Sequence, residues 1–466
     1  MLRGGAMTAQ GVRAPGRGDV HPATHYARSR GAHIAYQTVG SGQLDLLLVP
    51  SFLSNIELSW EHPAMSAFSM RLARFSRLIQ FDRRGNGMSD AAPRPSTLEE
   101  QLDDVRAVLA AAGSSEAAVL AINEGAGLAM LIAATHPESV RALVLAAPIP
   151  RLVRGPGYEW AQTVQERANR IEAVIANWGR DTDENPWLEF GGQVPDARAA
   201  MARYQRLAAG PGDAAATLEL AGRTDVREIL ASIQCPTLVL RRADDTAIDE
   251  RHSRYVAEHI PGARYLELSG AGQVWVGDAE EPGGQIESFL TGARAPAPSE
   301  RVLATVMFTD IVGSTELATD SGDARWRELL SRHDEIVQQE VARQRGRVVK
   351  SLGDGALALF DGPSRAIGCA LALGERLAEL GMPIRAGLHA GECELMAGGD
   401  VGGIAVHIAA RVAALADAGE VLVSGTVRDL SVGSTYQLHS RGEQLLKGLE
   451  EPWRVFAVAG EDQRSA

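Results

Sequence analysis

The sequence predicts two α/β-type domains of different build: a doubly wound parallel-sheet domain, then a smaller α+β sandwich. Three observations carry this reading. The chain has 466 residues, more than one ordinary core holds. Short uninterrupted apolar runs alternate with helical patterns through residues 21–290, as strands buried on both faces of a parallel sheet require. The rhythm then changes after "TGARAPAPSE" (291–300), an alanine- and proline-rich stretch that reads as a linker.

The elements follow in order. Residues 1–20 are glycine-rich and lack an apolar stretch, which predicts a disordered tail and no signal peptide. Strands of the first domain are expected at "LDLLLVP" (44–50), "RLIQF" (77–81), "AAVLAI" (117–122), "ALVLAA" (142–147), "PTLVLR" (236–241) and "RYLEL" (264–268). Helical stretches such as 98–112 and 125–136 intervene, and 156–225 reads as a helical cap over the sheet. In the second domain, 301–460, "RVLATVMFT" (301–309) is a strand and 324–345 a long amphipathic helix. Residues 346–360 form a hairpin turning at Gly353-Asp354-Gly355. A helix (364–380), a strand (384–391), a helix (403–416) and short strands complete a βαββαβ-like, ferredoxin-like order. There are no internal repeats.

Composition narrows the function classes. Apolar residues make up 45 % and charged residues 23 %, as in soluble globular proteins. A formal charge of −13 disfavours nucleic acid and anionic membranes as partners. No apolar run approaches the roughly 18 residues of a spanning helix. The three cysteines (Cys235, Cys369, Cys393) have no metal-type spacing, which fits a reducing cytoplasm.

The chemistry-bearing residues concentrate in the second domain. "FTDIVGST" (308–315) ends a strand with Asp310 and continues into a turn, Gly313-Ser314-Thr315, at a helix start. Backbone N–H groups in such a turn suit phosphate. "LGDG" (352–355) places Asp354 at the hairpin tip. Two aspartates on adjacent strand ends suit two divalent ions, Mg²⁺ or Mn²⁺, over a triphosphate. Taken singly, each aspartate also has an ordinary reading as a turn residue.

These motifs, with "RAGLHAGECEL" (385–395), "GGIAVHIAARVAALA" (402–416) and "RGEQLLKGL" (441–449), resemble the class III nucleotidyl cyclase catalytic domain over 301–458. The resemblance implies that Asp310, Asp354 and the carbonyl of Ile311 bind the metals. It implies that Lys350 donates to N1 of adenine and that Asp400 accepts from the 6-amino group. Guanine presents the opposite polarity, so the pair favours ATP, giving 3′,5′-cyclic AMP and pyrophosphate. Arg411 matches the arginine that stabilises phosphate charge in the transition state, and Lys447 matches a triphosphate lysine. His407 stands four residues before Arg411, where most of the family carries a ribose-orienting asparagine. The family divides its site between two subunits, so a single such domain implies a homodimer, with helix 324–345 either in that interface or packed on its own sheet.

Residues 25–290 resemble the α/β-hydrolase family through the strand pattern, "QFDRRGNGMSD" (80–90), the turn "VLAINEGAG" (119–127) and residues 238–278. The family's G-x-S-x-G elbow places its nucleophile where Asn123 stands. Asp245 matches the triad acid. The base is expected near 271–273, where Ala271, Gly272 and Gln273 stand, and no histidine occurs between His259 and His333. A triad needs nucleophile and base in contact. The expected reading is therefore an adenylyl cyclase with a catalytically inactive hydrolase-like domain that binds a small apolar ligand. The rivals are a sensing protein with weakened cyclase activity, marked by His407, and an ester hydrolase using Ser51 or Ser54.

Overall fold

The computed structural model describes residues 21–92, 94–191, 197–292, 301–396, 399–449 and 451–461. The expected N-terminal tail and most of the expected linker lie outside the described residues.

The first sheet has eight strands: β1 (His25–Ser29), β2 (Ala32–Val39), β3 (Leu44–Val49), β4 (Ser76–Phe81), β5 (Ala117–Ile122), β6 (Val140–Ala146), β7 (Thr237–Arg242) and β8 (Arg264–Leu268), in the order β1-β2-β4-β3-β5-β6-β7-β8. From β4 to β8 all neighbours are parallel. The central runs are buried on both faces, with every residue of β5 and β7 buried, whereas in the edge strand β8 only Leu268 is buried. The antiparallel pair β1–β2 adds an edge that apolar runs do not signal, because its residues alternate in exposure. Its two-residue turn places Arg30 at φ 47° and Gly31 at φ 84°, as a hairpin turn matched to strand twist demands.

Helices Pro63–Ala73 and Glu280–Gly292 pack together on one side of the sheet. Helix Leu98–Ala111 begins with a capping box between Thr97 and Glu100. Helix Gly125–Thr135 follows β5 directly, and ten of its eleven residues are buried. Between β6 and β7 the chain leaves the sheet for helices Val164–Ala176, Ala197–Ala208 and Pro211–Arg223, where the sequence predicts a cap.

The second sheet contains β9 (Arg301–Ile311), β10 (Arg347–Ser351), β11 (Gly355–Phe360), β12 (Ile384–Leu395), β13 (Val401–Gly402), β14 (Val421–Ser424), β15 (Tyr436–Leu445) and β16 (Pro452–Glu461). Its order is β10-β11-β9-β12-β14-β16-β15, with β13 paired to β12. Only β12 and β14 run parallel. Helix Ser314–Arg343 starts ten residues before the expected 324, with a non-helical break at Gly322. Its apolar face is consumed within the chain: Val337 and Val341 are buried, and Trp326, Leu329 and Leu330 pack on the same core. This is the packing on its own sheet that one of the two readings expects.

The two sheets share one continuous core. Helix Gly125–Thr135 packs against β9, and one apolar cluster runs from Ala129 and Ile132 to Leu303 and Met307. Beside it lies a buried ion cluster. Arg365, on helix Pro363–Ala378, donates from Nη2 to Asp103 (2.5 Å) and lies 3.3 Å from Glu99. Arg30 also pairs with Asp103, and the backbone N–H of Ser364 donates to Glu99 at 3.0 Å. Charged positions of helices Leu98–Ala111 and Pro363–Ala378 thus meet in the contact between the two domains.

Candidate functional site

Strand register brings the two aspartates together. Asp310, the penultimate residue of β9, sits opposite Gly355, so Asp354 follows at the adjacent strand end. The N–H of Ile311 donates to the carbonyl of Asp354 at 2.7 Å. The contact needs glycine at 355, since a Cβ there would stand 2.0 Å from the Thr309 carbonyl oxygen. The turn is closed by Leu352 N–H donating to the Gly355 carbonyl (2.8 Å), with Gly353 at φ 95°.

Both carboxylates are half-buried and already oriented. Ser314 Oγ donates to Asp354 Oδ2 at 2.7 Å. Gly313 occupies the left-handed N-cap position (φ 71°) of the helix that Ser314 and Thr315 begin. Arg385, opposite Asp310 on β12, donates to Asp310 Oδ2 from Nε (2.9 Å) and Nη2 (2.5 Å). Arg385 was not singled out from the sequence. Its partner lies 75 residues away, and only antiparallel pairing of β12 with β9 joins them. Two carboxylates and a neighbouring backbone carbonyl form a hard oxygen donor set. It fits Mg²⁺ or Mn²⁺, which take one or two protein carboxylates and complete their shell with water and phosphate.

A second group forms around Lys350 and Asp400. Lys350 Nζ lies 3.2 Å from each oxygen of Asp400, although the residues are 50 apart in sequence. The Val401 N–H, and then the Lys350 ammonium, hold the Asp400 carboxyl below its usual range. On helix Ile404–Ala414, His407 and Arg411 are exposed and one turn apart, with Ile404 and Leu415 on the same stripe. Lys447 is exposed in the turn after β15. Among the described residues, no hydrogen bond or ion pair joins Asp310 or Asp354 to Lys350, Asp400, His407, Arg411 or Lys447.

The first domain keeps the geometry of a hydrolase site with different side chains. Asn123 sits at φ 49°, the left-handed conformation of a strand-to-helix elbow, which asparagine tolerates better than most residues. Asn123 Nδ2 donates to Gln273 Oε1 at 2.9 Å. Of Ala271, Gly272 and Gln273 at the expected base position, it is Gln273 whose side chain bonds to Asn123. Arg242 fixes the loop that carries it, donating to the carbonyls of Ser269 and Val276, each at 2.6 Å, and of Gln273 at 3.2 Å. Asp245 accepts from the Ala247 N–H at 3.0 Å and has no side-chain bond to Gln273. Burial pushes its carboxyl up. Ser51 Oγ donates to Glu124 (2.6 Å), and Ser54 Oγ accepts from the Arg83 N–H (2.9 Å), so both serines are engaged. Two amides in contact offer neither a nucleophile nor a general base.

Comparisons with known proteins agree domain by domain. The model of the alpha/beta hydrolase fold family matches residues 46–275, and that of the adenylate and guanylate cyclase catalytic domain matches 298–460. A Rhizobium meliloti protein provisionally named adenylate cyclase 3 is 28 % identical over 172 residues, covering 35 % of this chain and 29 % of its own. The mouse serine hydrolase BPHL is 25 % identical over 270 residues, covering 56 % of this chain and 84 % of its own. An esterase of Exiguobacterium antarcticum shares the fold of the first domain, with TM-score 0.51 and 20 % identity over 57 % of this chain and 99 % of that one. The chain spans only 29 % and 32 % of the length of the first curated relatives it matches. Among the described residues no helix is long and apolar enough to cross a membrane. The chain thus joins a domain of the α/β-hydrolase fold family to a class III adenylate and guanylate cyclase catalytic domain.

Proposed function

We propose that this chain is an adenylyl cyclase that works as a homodimer, with the hydrolase-like domain as its ligand-binding regulatory module. The observation that carries the choice of ATP is the Lys350–Asp400 pair. At 3.2 Å the two heads lie side by side, a donor next to an acceptor. Adenine presents the complement, an N1 acceptor beside a 6-amino donor. Guanine presents O6 and a protonated N1, which leaves both heads facing their own kind.

The remaining residues take roles by their chemistry. Asp310, Asp354 and the Ile311 carbonyl would hold two divalent ions, which supply charge neutralisation at the triphosphate and acidity at the 3′-hydroxyl. Gly313, Ser314 and Thr315 lie at a helix start, where backbone N–H groups favour phosphate. Arg411 carries a planar cation for the charge that builds on the phosphates. His407, one turn before it, would donate to the ribose, and Lys447 would meet the outer phosphates. The 3′-oxygen bonds to the α-phosphorus, its proton leaves, and the bond to the β-phosphate oxygen breaks to release pyrophosphate.

Division of the site between two chains follows from what one chain leaves apart. Exposed apolar residues accompany each half: Leu352 beside Asp354, Met396 before Asp400, Ile404 and Leu415 on the Arg411 stripe, and Leu445 beside Lys447. A face so rimmed fits self-association, and a two-fold axis would complete two sites at once. Asp310→Ala and Arg411→Ala proteins are each expected to be inactive. Mixed at equal amounts, they should recover about one quarter of wild-type turnover, because half the dimers are mixed and each has one intact site. No recovery despite verified mixed dimers overturns the shared site. A wild-type protein that makes no cyclic AMP with Mg²⁺ or Mn²⁺ overturns the cyclase reading.

A regulatory role for the first domain is supported by its packing. A cavity opens over the elbow, lined by Asn123, Glu124 and Gln273 among others. Glu124 also lines a second cavity that reaches Val432 of the cyclase domain.

A further inference from the structure

The elbow cavity is apolar over most of its wall, with Phe52, Phe68, Met65, Trp187 and Trp275 among its lining. At its polar end two buried atoms have no partner among the described residues: Asn123 Oδ1 and Gln273 Nε2. The two residues are 5 % and 4 % exposed, so bulk water does not serve them. Each leaves a desolvated group unsatisfied, which folded proteins rarely tolerate. The inventory is independent of amide orientation. Turning both amides over reverses the 2.9 Å hydrogen bond and again leaves one carbonyl oxygen and one NH₂ free.

Complementarity then defines the occupant. It must donate to one amide and accept from the other, from adjacent atoms on one edge. A primary carboxamide or a lactam does so, with a cis N–H beside a C=O. An ester or lactone of the same skeleton has acceptors only and leaves the asparagine oxygen unpaired. An anion is disfavoured because Glu124, whose carboxylate is bound by Ser51, lines the same cavity. Of the other serines of the wall, Ser54 and Ser59 are engaged with backbone.

We infer that the hydrolase-like domain binds an uncharged, largely apolar carboxamide or lactam, with the Asn123–Gln273 pair as its recognition clamp in place of a catalytic nucleophile and base. The inference rests on reading this domain as a ligand-binding module. It reverses the preference expected of an ester-cleaving relative.

A matched pair of probes tests it on the full chain. δ-Decalactone and the corresponding six-membered pentyl lactam differ only in ring O against N–H. Binding is read by calorimetry and by tryptophan fluorescence, since Trp187 and Trp275 line the cavity. The lactam is expected to bind about ten- to hundredfold more tightly, the usual consequence of leaving or pairing a buried polar group. Gln273→Met keeps the volume and removes the amide, and should reduce the preference to less than about threefold. Equal affinities in the wild type, or a lactone preference, overturn the clamp while leaving ligand binding intact. A lactam preference that Gln273→Met does not weaken overturns it too. Binding of neither probe overturns the ligand-binding reading itself. The wild-type comparison decides alone if the variant does not fold.

Discussion

Replacing Arg365 by methionine should uncouple the two domains. The side chains of Arg365, Glu99 and Asp103 are 5 %, 4 % and 5 % exposed. Breaking a buried ion pair by removing one partner costs about 3–5 kcal/mol, because the other charge stays buried. Arg30 remains near both carboxylates and Arg345 lies 3.3 Å from Asp103, but these are more exposed, at 32 % and 59 %. Such pairs recover up to about 1 kcal/mol each. Methionine retains much of the apolar stem, so the packing loss is small. The net expectation is about 2–4 kcal/mol, mostly in the contact between domains. Urea unfolding followed by tryptophan fluorescence should show an early transition separating from the main one. Adding Glu99→Gln and Asp103→Asn to Arg365→Met should recover most of the loss, since no charge is then stranded. A cost under about 1 kcal/mol, or a triple variant no better than the single, would refute the reasoning.

The same cluster carries opposite pH signatures. Burial pushes Glu99 above its ordinary 4.5, so the stability it adds is complete below that value and lost as pH rises through its folded pKa. Asp103 runs the other way: burial raises it, but Arg365 and Arg30 outweigh burial and hold it below 3.8. Its stabilisation is complete above pH 3.8 and lost as pH falls through the folded value, so Asp103→Asn should flatten the acid limb of a stability profile. Lys350→Glu should reverse the polarity at one head of the base-reading pair, lowering kcat/KM for ATP about a hundredfold or more and raising the GTP-to-ATP ratio through the guanine N1–H. An unchanged ratio would remove Lys350 from base recognition. Arg385→Gln frees Asp310, whose half-exposed ion pair competes with a divalent ion. The metal concentration for half-maximal turnover should fall about two- to fivefold, and a rise would count against competition. Asn123→Ser with Gln273→His should hydrolyse p-nitrophenyl esters about a hundredfold faster than Asn123→Ser alone, because the two positions are already in contact. Equal rates would show that the backbone no longer presents the pair correctly.

What the sequence made legible followed physical locality. β3 to β7 announce themselves because parallel strands buried on both faces are largely apolar runs, and the edge strand β8 by its alternating RYLEL. The aspartates were legible because each closes a short motif on one strand end. β1 and β2 were not, since an edge hairpin alternates polar and apolar residues and turns on Arg-Gly rather than Asn-Gly. The early start of helix Ser314–Arg343 was masked by "TDSGD", where Gly322 interrupts the helix. Arg385, the contact of Gln273 with Asn123 and the Glu99–Asp103–Arg365 cluster were illegible for a shared reason. Each acquires its meaning from a partner 75 to 265 residues away, and a charged or amide side chain carries no periodic signal of that partner.

The elbow "VLAINEGAG" is retained without its nucleophile for a reason the packing supplies. Gly125 lies so near the Pro50 carbonyl that a Cβ would meet its oxygen at 2.4 Å. The Asn123 N–H donates to the Ala146 carbonyl at 2.9 Å, tying the turn to β6. This turn sets the direction of helix Gly125–Thr135, which packs against β9, and β9 ends in Asp310. The elbow residues Asn123 and Glu124 line the cavity, and the helix that follows them packs against the strand bearing Asp310. A residue that broke the turn would misplace the cyclase strand as well as the cavity, whereas exchanging serine for asparagine keeps the left-handed turn and removes only the chemistry. The elbow thus has a packing role toward the second domain that requires no ester hydrolysis.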